Sequence, residues 1–136
     1  MFRNIKDQLD NPVVRNIFAA CVYKNADKKL EQYRSCDTLS LYGWVENGEI
    51  VGVCGFEVRD TVEIKHIAVA ENARGRGIGS AMIAALRAQF CLTIQAETDD
   101  DAVDFYRKVG FEATEFEKYG VRRWACVLAS PISIKK

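Results

Sequence analysis

The stretch Glu71-Asn-Ala-Arg-Gly-Arg-Gly-Ile-Gly-Ser-Ala-Met82 sets three glycines and two arginines directly before an apolar, helix-like run. The first backbone N–H groups of a helix lack internal partners and carry partial positive charge, so a glycine-rich turn that opens a helix is a ready anion site. Glycine lets a phosphate approach the backbone closely, and Arg74 and Arg76 add cationic donors suited to a diphosphate. The competing reading, a strand-to-helix turn whose glycines serve geometry alone, has to be weighed against what flanks it.

Upstream, residues 40–46 and 50–58 are rich in valine and aromatic side chains, and Asn47-Gly48 between them predicts a two-residue hairpin turn. Residues 61–69 predict a third strand, completing a meander that ends where the glycines begin. Residues 2–5 predict a short first strand. Residues 11–34 predict two short helices, with Asn11 as cap, Pro12 in the first turn, Val13, Ile17, Ala20 and Cys21 at helical spacing, and a break near Asn25.

Downstream, Ile78, Met82, Ile83, Leu86 and Phe90 share one helical face, which places a helix N-terminus against the glycines. Residues 91–96 then predict a short strand, 102–109 a helix ended by Gly110, and 111–118 and 123–128 two closing strands. Residues 132–136 read as a short tail. The expected class is mixed α/β, with residues 1–136 forming one domain.

Two common nucleotide motifs do not fit. A P-loop needs Gly-Lys followed by Ser or Thr, which is missing here, and the dinucleotide fingerprint needs a βαβ unit near the N-terminus rather than a meander. Instead, Arg74-x-x-Gly77-x-Gly79, preceded by Ile67-Ala68-Val69, resembles the acetyl-CoA pyrophosphate motif of the GNAT N-acetyltransferase superfamily. A second block, Asp99-x-x-Ala102-x-x-Phe105-Tyr106-x-Lys108-x-Gly110-Phe111, resembles that superfamily's downstream motif, and the two blocks lie in the matching order.

The resemblance implies an α/β (α+β) acyl-CoA N-acyltransferase fold: a mixed, mostly antiparallel sheet, splayed in the middle and flanked by helices. It implies acetyl-CoA as cosubstrate, with pyrophosphate held by Arg74, Gly75, Arg76, Gly77, Ile78, Gly79 and Ser80, and pantetheine paired like an added strand with Ile67, Ala68 and Val69. It also implies direct acetyl transfer to a primary amine. A CoA-binding regulatory or interaction module that has lost the chemistry is the alternative.

Transfer from a thioester to an amine needs a neutral amine, a stabilised oxyanion and a proton for the departing thiolate. Glu63, six residues before Val69, matches the general-base glutamate of the histone-acetyltransferase branch, and strand alternation puts it on one face with Lys65, Ile67 and Val69. His66 competes for that role as the side chain whose ordinary pKa lies nearest neutrality. Tyr106 is expected to serve the leaving sulfur, and a backbone N–H of Ala68 or Val69 the oxyanion. Asp99 stands where the family more usually has asparagine, so it offers either a cofactor contact without an N–H or a cap for the following helix.

Composition narrows the partners. Nineteen basic and nineteen acidic side chains cancel, which disfavours nucleic acid, and the acceptor is expected to be a small-molecule amine or a protein amine. Tyr23, Tyr33, Tyr42, Trp44 and Phe56 are equally suited to the acceptor pocket and to the core. Five widely spaced cysteines without a Cys-x-x-Cys pair, and a single histidine, argue for structural thiols in a reducing compartment and against a metal. With no long apolar run, no membrane contact and a cytoplasmic location are expected. Dimerisation through the terminal strands is left open.

Overall fold

The computed structural model describes residues 1–131, so the expected tail at 132–136 lies outside the described residues. Seven strands form one sheet in the order β1-β2-β3-β4-β5-β7-β6: β1 (Phe2–Asn4), β2 (Leu39–Glu46), β3 (Glu49–Val58), β4 (Val62–Val69), β5 (Ile94–Thr98), β6 (Glu112–Lys118) and β7 (Val121–Leu128). Every pairing is antiparallel except β4 with β5. Among the described residues there are also four α-helices, α1 (Pro12–Ala19), α2 (Ala26–Ser35), α3 (Ile78–Phe90) and α4 (Val103–Val109), and short 3-10 turns at Lys6–Gln8 and Glu71–Ala73. The mixed, mostly antiparallel α/β class expected from the sequence is the class observed.

Local chemistry accounts for the boundaries. Asn47 and Gly48 both take positive φ, the conformation a tight β2–β3 hairpin demands, and Tyr119-Gly120 repeats it between β6 and β7. Asn11 caps α1 by accepting the Val13 N–H, with Pro12 in the first turn. Asn25, left-handed, separates α1 from α2. The expected strand at residues 91–96 is displaced: Cys91 is the left-handed C-cap of α3, and β5 begins only at Ile94 and runs to Thr98. Apolar Cys91 and Leu92 look like strand residues, but the helix consumes the chain up to Phe90 and must be terminated before the sheet resumes.

The sheet separates two apolar layers. On one face, Val14, Ile17 and Phe18 of α1 and Leu30 and Tyr33 of α2 pack on Leu41 and Val53. On the other, Ile78, Met82, Ile83 and Leu86 of α3 and Val103 and Tyr106 of α4 pack on Cys54, Phe56, Val62, Ile64 and Ile94. Each such large side chain contributes on the order of 1.5–3 kcal/mol when fully buried. Tyr33 and Phe56 therefore belong to the core, and Tyr42 and Trp44 pack beside Phe2 against it, so of the five candidate pocket aromatics only Tyr23 stays in the open.

Two features of β4 position the site. Its ladder with β5 spans only Val62 to Ile64 against Ile94 to Ala96, after which the two strands part. On the other edge, Gly55 pairs with His66 and Phe56 with Ile64, leaving Lys65 as an extra residue in β4. That bulge reverses the expected face assignment. Glu63 lies between two residues of the α3 layer, Val62 and Ile64, so it faces α1 and α2 together with His66 and Ala68, whereas Ile67 and Val69 pack in the α3 layer.

Candidate active site

Where β4 and β5 part, a cleft of about 850 Å³ opens between them. Its β4 side runs from Ile64 to Val69, its β5 side from Glu97 to Asp99, and α4 contributes Ala102, Phe105 and Tyr106. The connection after α1, Ala20 to Tyr23, and Lys29 of α2 line the cleft as well. Beyond Ile64 no strand pairs with the β5-facing edge of β4 among the described residues, so backbone groups there face the cleft.

At one end, the glycine loop meets the cleft through Arg74 and Gly79. Gly75 and Gly77 take φ of 81° and 79°, left-handed values that side chains oppose, and Gly77 is the N-cap of α3. No side chain caps that helix end, which leaves its first N–H groups for an incoming anion. A Cβ at Gly79 would stand 3.0 Å from the Phe105 ring, so glycine is also what lets α3 and α4 approach. Arg74 donates from Nε to the Val69 carbonyl at 3.1 Å, which aligns it along the loop. Arg76 points elsewhere, to Glu46 at 3.2 Å on β2, across an exposed pair that costs little to exchange.

Tyr106 lines the cleft and is 6% exposed. Its ring is clamped edge-on between Phe105 and Phe111, and its hydroxyl has no hydrogen-bond partner among the described residues. Burial first, then the neighbouring thiols and Asp99, push the phenol above its ordinary range, so it is a neutral donor at any physiological pH. A buried hydroxyl without a protein partner, facing a cleft, is an invitation to a ligand atom.

Asp99 also reaches the cleft, but its Oδ1 accepts the Ala102 N–H at 3.0 Å and so closes the turn into α4. Glu97 is held by Arg123 at 2.9 Å and by Lys118 at 3.4 Å. Glu63 does not line the cleft; it pairs with Lys65 at 3.1 Å near the root of the split. Cys21, beside the β4 edge, donates to the Phe18 carbonyl, and burial pushes its thiol up to about 11, which removes it as a nucleophile near neutrality.

His66 lines the cleft as well, with its ring 4.6 Å from that of Phe18 and its Nδ1 2.6 Å from the Tyr33 hydroxyl. Burial, assisted by Lys29 and Lys65, pushes its pKa down to about 4, so the ring is neutral and only weakly basic. The sequence offers Tyr33 as a core or pocket aromatic and does not show it as a partner of His66. The trace it leaves in the sequence is Gly55, since a glycine inside a strand marks close approach, and in the structure a Cβ there would collide with the Tyr33 hydroxyl.

The acetyltransferase (GNAT) domain family matches the chain over residues 38–113, more than half its length. A relative from Bacillus methanolicus, described as an uncharacterized N-acetyltransferase in the lysA 3′ region, is 36% identical over 66 residues. That stretch is 47% of this chain and 55% of the relative, so the match spans about half of that protein. A solved structure assigned to the GNAT family, from Desulfovibrio desulfuricans, superposes with a TM-score of 0.80 at 19% identity over 95% of this chain and 98% of its own. A GNAT family acetyltransferase from Elizabethkingia anophelis with acetyl-CoA bound gives 0.68 at 21% identity, over 88% and 92%. At these identities the structural likeness is one of fold.

Proposed function

The chain belongs to the GNAT acetyltransferase family, and on that premise we propose that it transfers an acetyl group from acetyl-CoA directly to a primary amine bound beside it. The observation that carries this reading is the parted β4–β5 pair: across one cleft its β4 edge faces Tyr106, both without a hydrogen-bonding partner there among the described residues. The dimensions and donors suit the cosubstrate: a strand edge for pantetheine amides, an uncapped helix end and Arg74 for the diphosphate. That a fold neighbour carries acetyl-CoA supports the same choice.

Acetyl-CoA supplies the acyl group as a thioester; the rest falls to the chain. Tyr106 donates its phenolic proton in a hydrogen bond to the departing sulfur, and burial keeps that proton in place until charge develops there. Ala70 donates its N–H to Val51 on β3, so Ala68, two residues earlier, also faces β3, and it is the Val69 N–H on the free edge that meets the carbonyl oxygen. An alkylamine with an ordinary pKa of ~10.4 is less than about one-thousandth neutral at pH 7, so proton removal matters. Glu63 is the base we assign. Its carboxylate stands near the root of the split outside the cleft lining, so the proton reaches it through water. His66, low in basicity, is not given that role.

With balanced charge overall, a small-molecule or protein amine suits the acceptor end better than nucleic acid. Free-CoA release from acetyl-CoA across a panel of amines tests the proposal, with acetyl-CoA binding measured separately by calorimetry. Amine-stimulated release, lowered in Glu63→Gln, is the expected result. No binding of acetyl-CoA would overturn the reading, and binding without stimulated release by any amine would favour the non-catalytic CoA-binding module.

A further inference from the structure

The lining of the cleft mixes cations with carboxylates, and their pairing is uneven. Four cationic side chains line the cleft: Lys29, Lys65, Arg74 and Arg123. Three are engaged, Lys65 with Glu63, Arg74 with the Val69 carbonyl, and Arg123 with Glu97. Lys29 on α2 has no anion and no acceptor among the described residues, although it is only part-exposed and lies near enough to His66 to depress its protonation. An ammonium held in a cleft without a counter-charge is a site waiting for an anion.

His66 adds a second, independent observation. The Tyr33 hydroxyl is buried and has the His66 Nδ1 as its hydrogen-bond partner. A neutral phenol must donate to be satisfied, so the phenol donates and Nδ1 accepts. The neutral imidazole then carries its proton on Nε2, where it is a donor and not a base. Gly55 stands opposite His66 in the register and leaves the room that Tyr33 needs, so this arrangement is built into the sheet. Across the cleft, Asp101 is an exposed carboxylate with no partner among the described residues, next to Asp99. With Arg123 and Glu97 neutralising each other, the charges left unpaired among the described residues are Lys29 on the α2 side and Asp101 on the α4 side.

We infer that the acceptor amine also carries an anionic group, a carboxylate or a phosphate, which docks on the Lys29 ammonium and the His66 Nε2–H while its amine lies toward the thioester. This rests on the acetyl-transfer reading above and names the substrate class of that same site. Polycationic acceptors, such as polyamines, are disfavoured because they would bring a second ammonium against Lys29.

Two matched pairs test it: phenylalanine against phenethylamine, and O-phosphoethanolamine against ethanolamine, each assayed by free-CoA release. The anion-bearing member of at least one pair is expected to show a kcat/KM higher by at least about tenfold, the scale of one charge-assisted hydrogen bond. Which pair responds tells carboxylate from phosphate. In Lys29→Gln that ratio is expected to collapse toward one, with recovery in Lys29→Arg. Equal use of both members in both pairs, or preference for the anion-free members, overturns the inference while leaving acetyl transfer intact. Failure to bind acetyl-CoA in calorimetry strikes the transfer reading instead.

A readout independent of turnover comes from His66, the sole histidine of the chain, whose ring is followed by nitrogen-detected NMR. The free protein is expected to show the Nε2–H tautomer, and the anion-bearing member of the responding pair should shift that signal in the parent but not in Lys29→Gln. An Nδ1–H tautomer, or no shift with any of the four compounds, also overturns the inference.

Discussion

The Tyr33 hydroxyl and the His66 Nδ1 lie 2.6 Å apart, in the α2-facing layer, directly over Gly55 on the neighbouring strand. Three separated segments thus converge on one contact beside the cleft. Each member can be perturbed with a separate expected outcome.

Replacing Gly55 by alanine puts a methyl group into the space of the Tyr33 hydroxyl, and the ring is enclosed, so it cannot simply swing away. A loss of about 1–3 kcal/mol is expected in urea unfolding, together with loss of the Nε2–H tautomer of His66. An unchanged unfolding midpoint would show that Tyr33 has another place to go.

His66 should make stability depend on pH in a defined window. Its folded pKa, near 4, lies below the ordinary 6.5, so between those values the unfolded chain binds the extra proton. Stability from this group is present above pH 6.5 and is lost as pH falls toward 4. The loss is about 2 kcal/mol once partial solvent screening is allowed for. Denaturant unfolding across that range, parent against His66→Gln, should differ by this slope, and an NMR midpoint for the ring near 6.5 would contradict it.

Tyr106→Phe separates chemistry from folding. Because the hydroxyl has no partner among the described residues, its removal should leave unfolding stability equal or slightly higher. Turnover is expected to fall by about 10²-fold, with acetyl-CoA affinity kept within about threefold. Parallel loss of stability and activity would instead make the tyrosine a core residue only.

Gly77→Ala tests the loop. Forcing a side chain into a φ of 79° costs roughly 1–2 kcal/mol locally and turns the first amides of α3 out of line. Calorimetry should show CoA binding weakened at least about tenfold, whereas Gly120→Ala, also at positive φ but in the β6–β7 turn, should cost stability without that effect. Equal affinities in both variants would remove the glycine loop from the binding site.

Much of this architecture was legible along the chain because its causes are local. The Asn47-Gly48 turn, the Asn11-Pro12 helix start and the glycines before Ile78 each depend on the φ preferences of the residues themselves, and they appear where the sequence places them. The α3–β5 boundary was less legible, since Cys91 and Leu92 suit a strand as well as a helix end and only the helix length decides between them.

What the sequence by itself determined is the family, the strand order up to the glycine loop, and a set of candidate residues around it. Local preference and motif spacing suffice for that. What the tertiary structure decided is which way those residues face. The extra residue at Lys65 moves Glu63 to the α2 side of the sheet, away from Ile67 and Val69, and the parting of β4 from β5 makes a cleft whose far wall, Lys29 and Cys21 included, comes from another part of the chain. A bulge shifts alternation by one residue, and a cleft depends on what packs across it; both arise from pairing between distant segments.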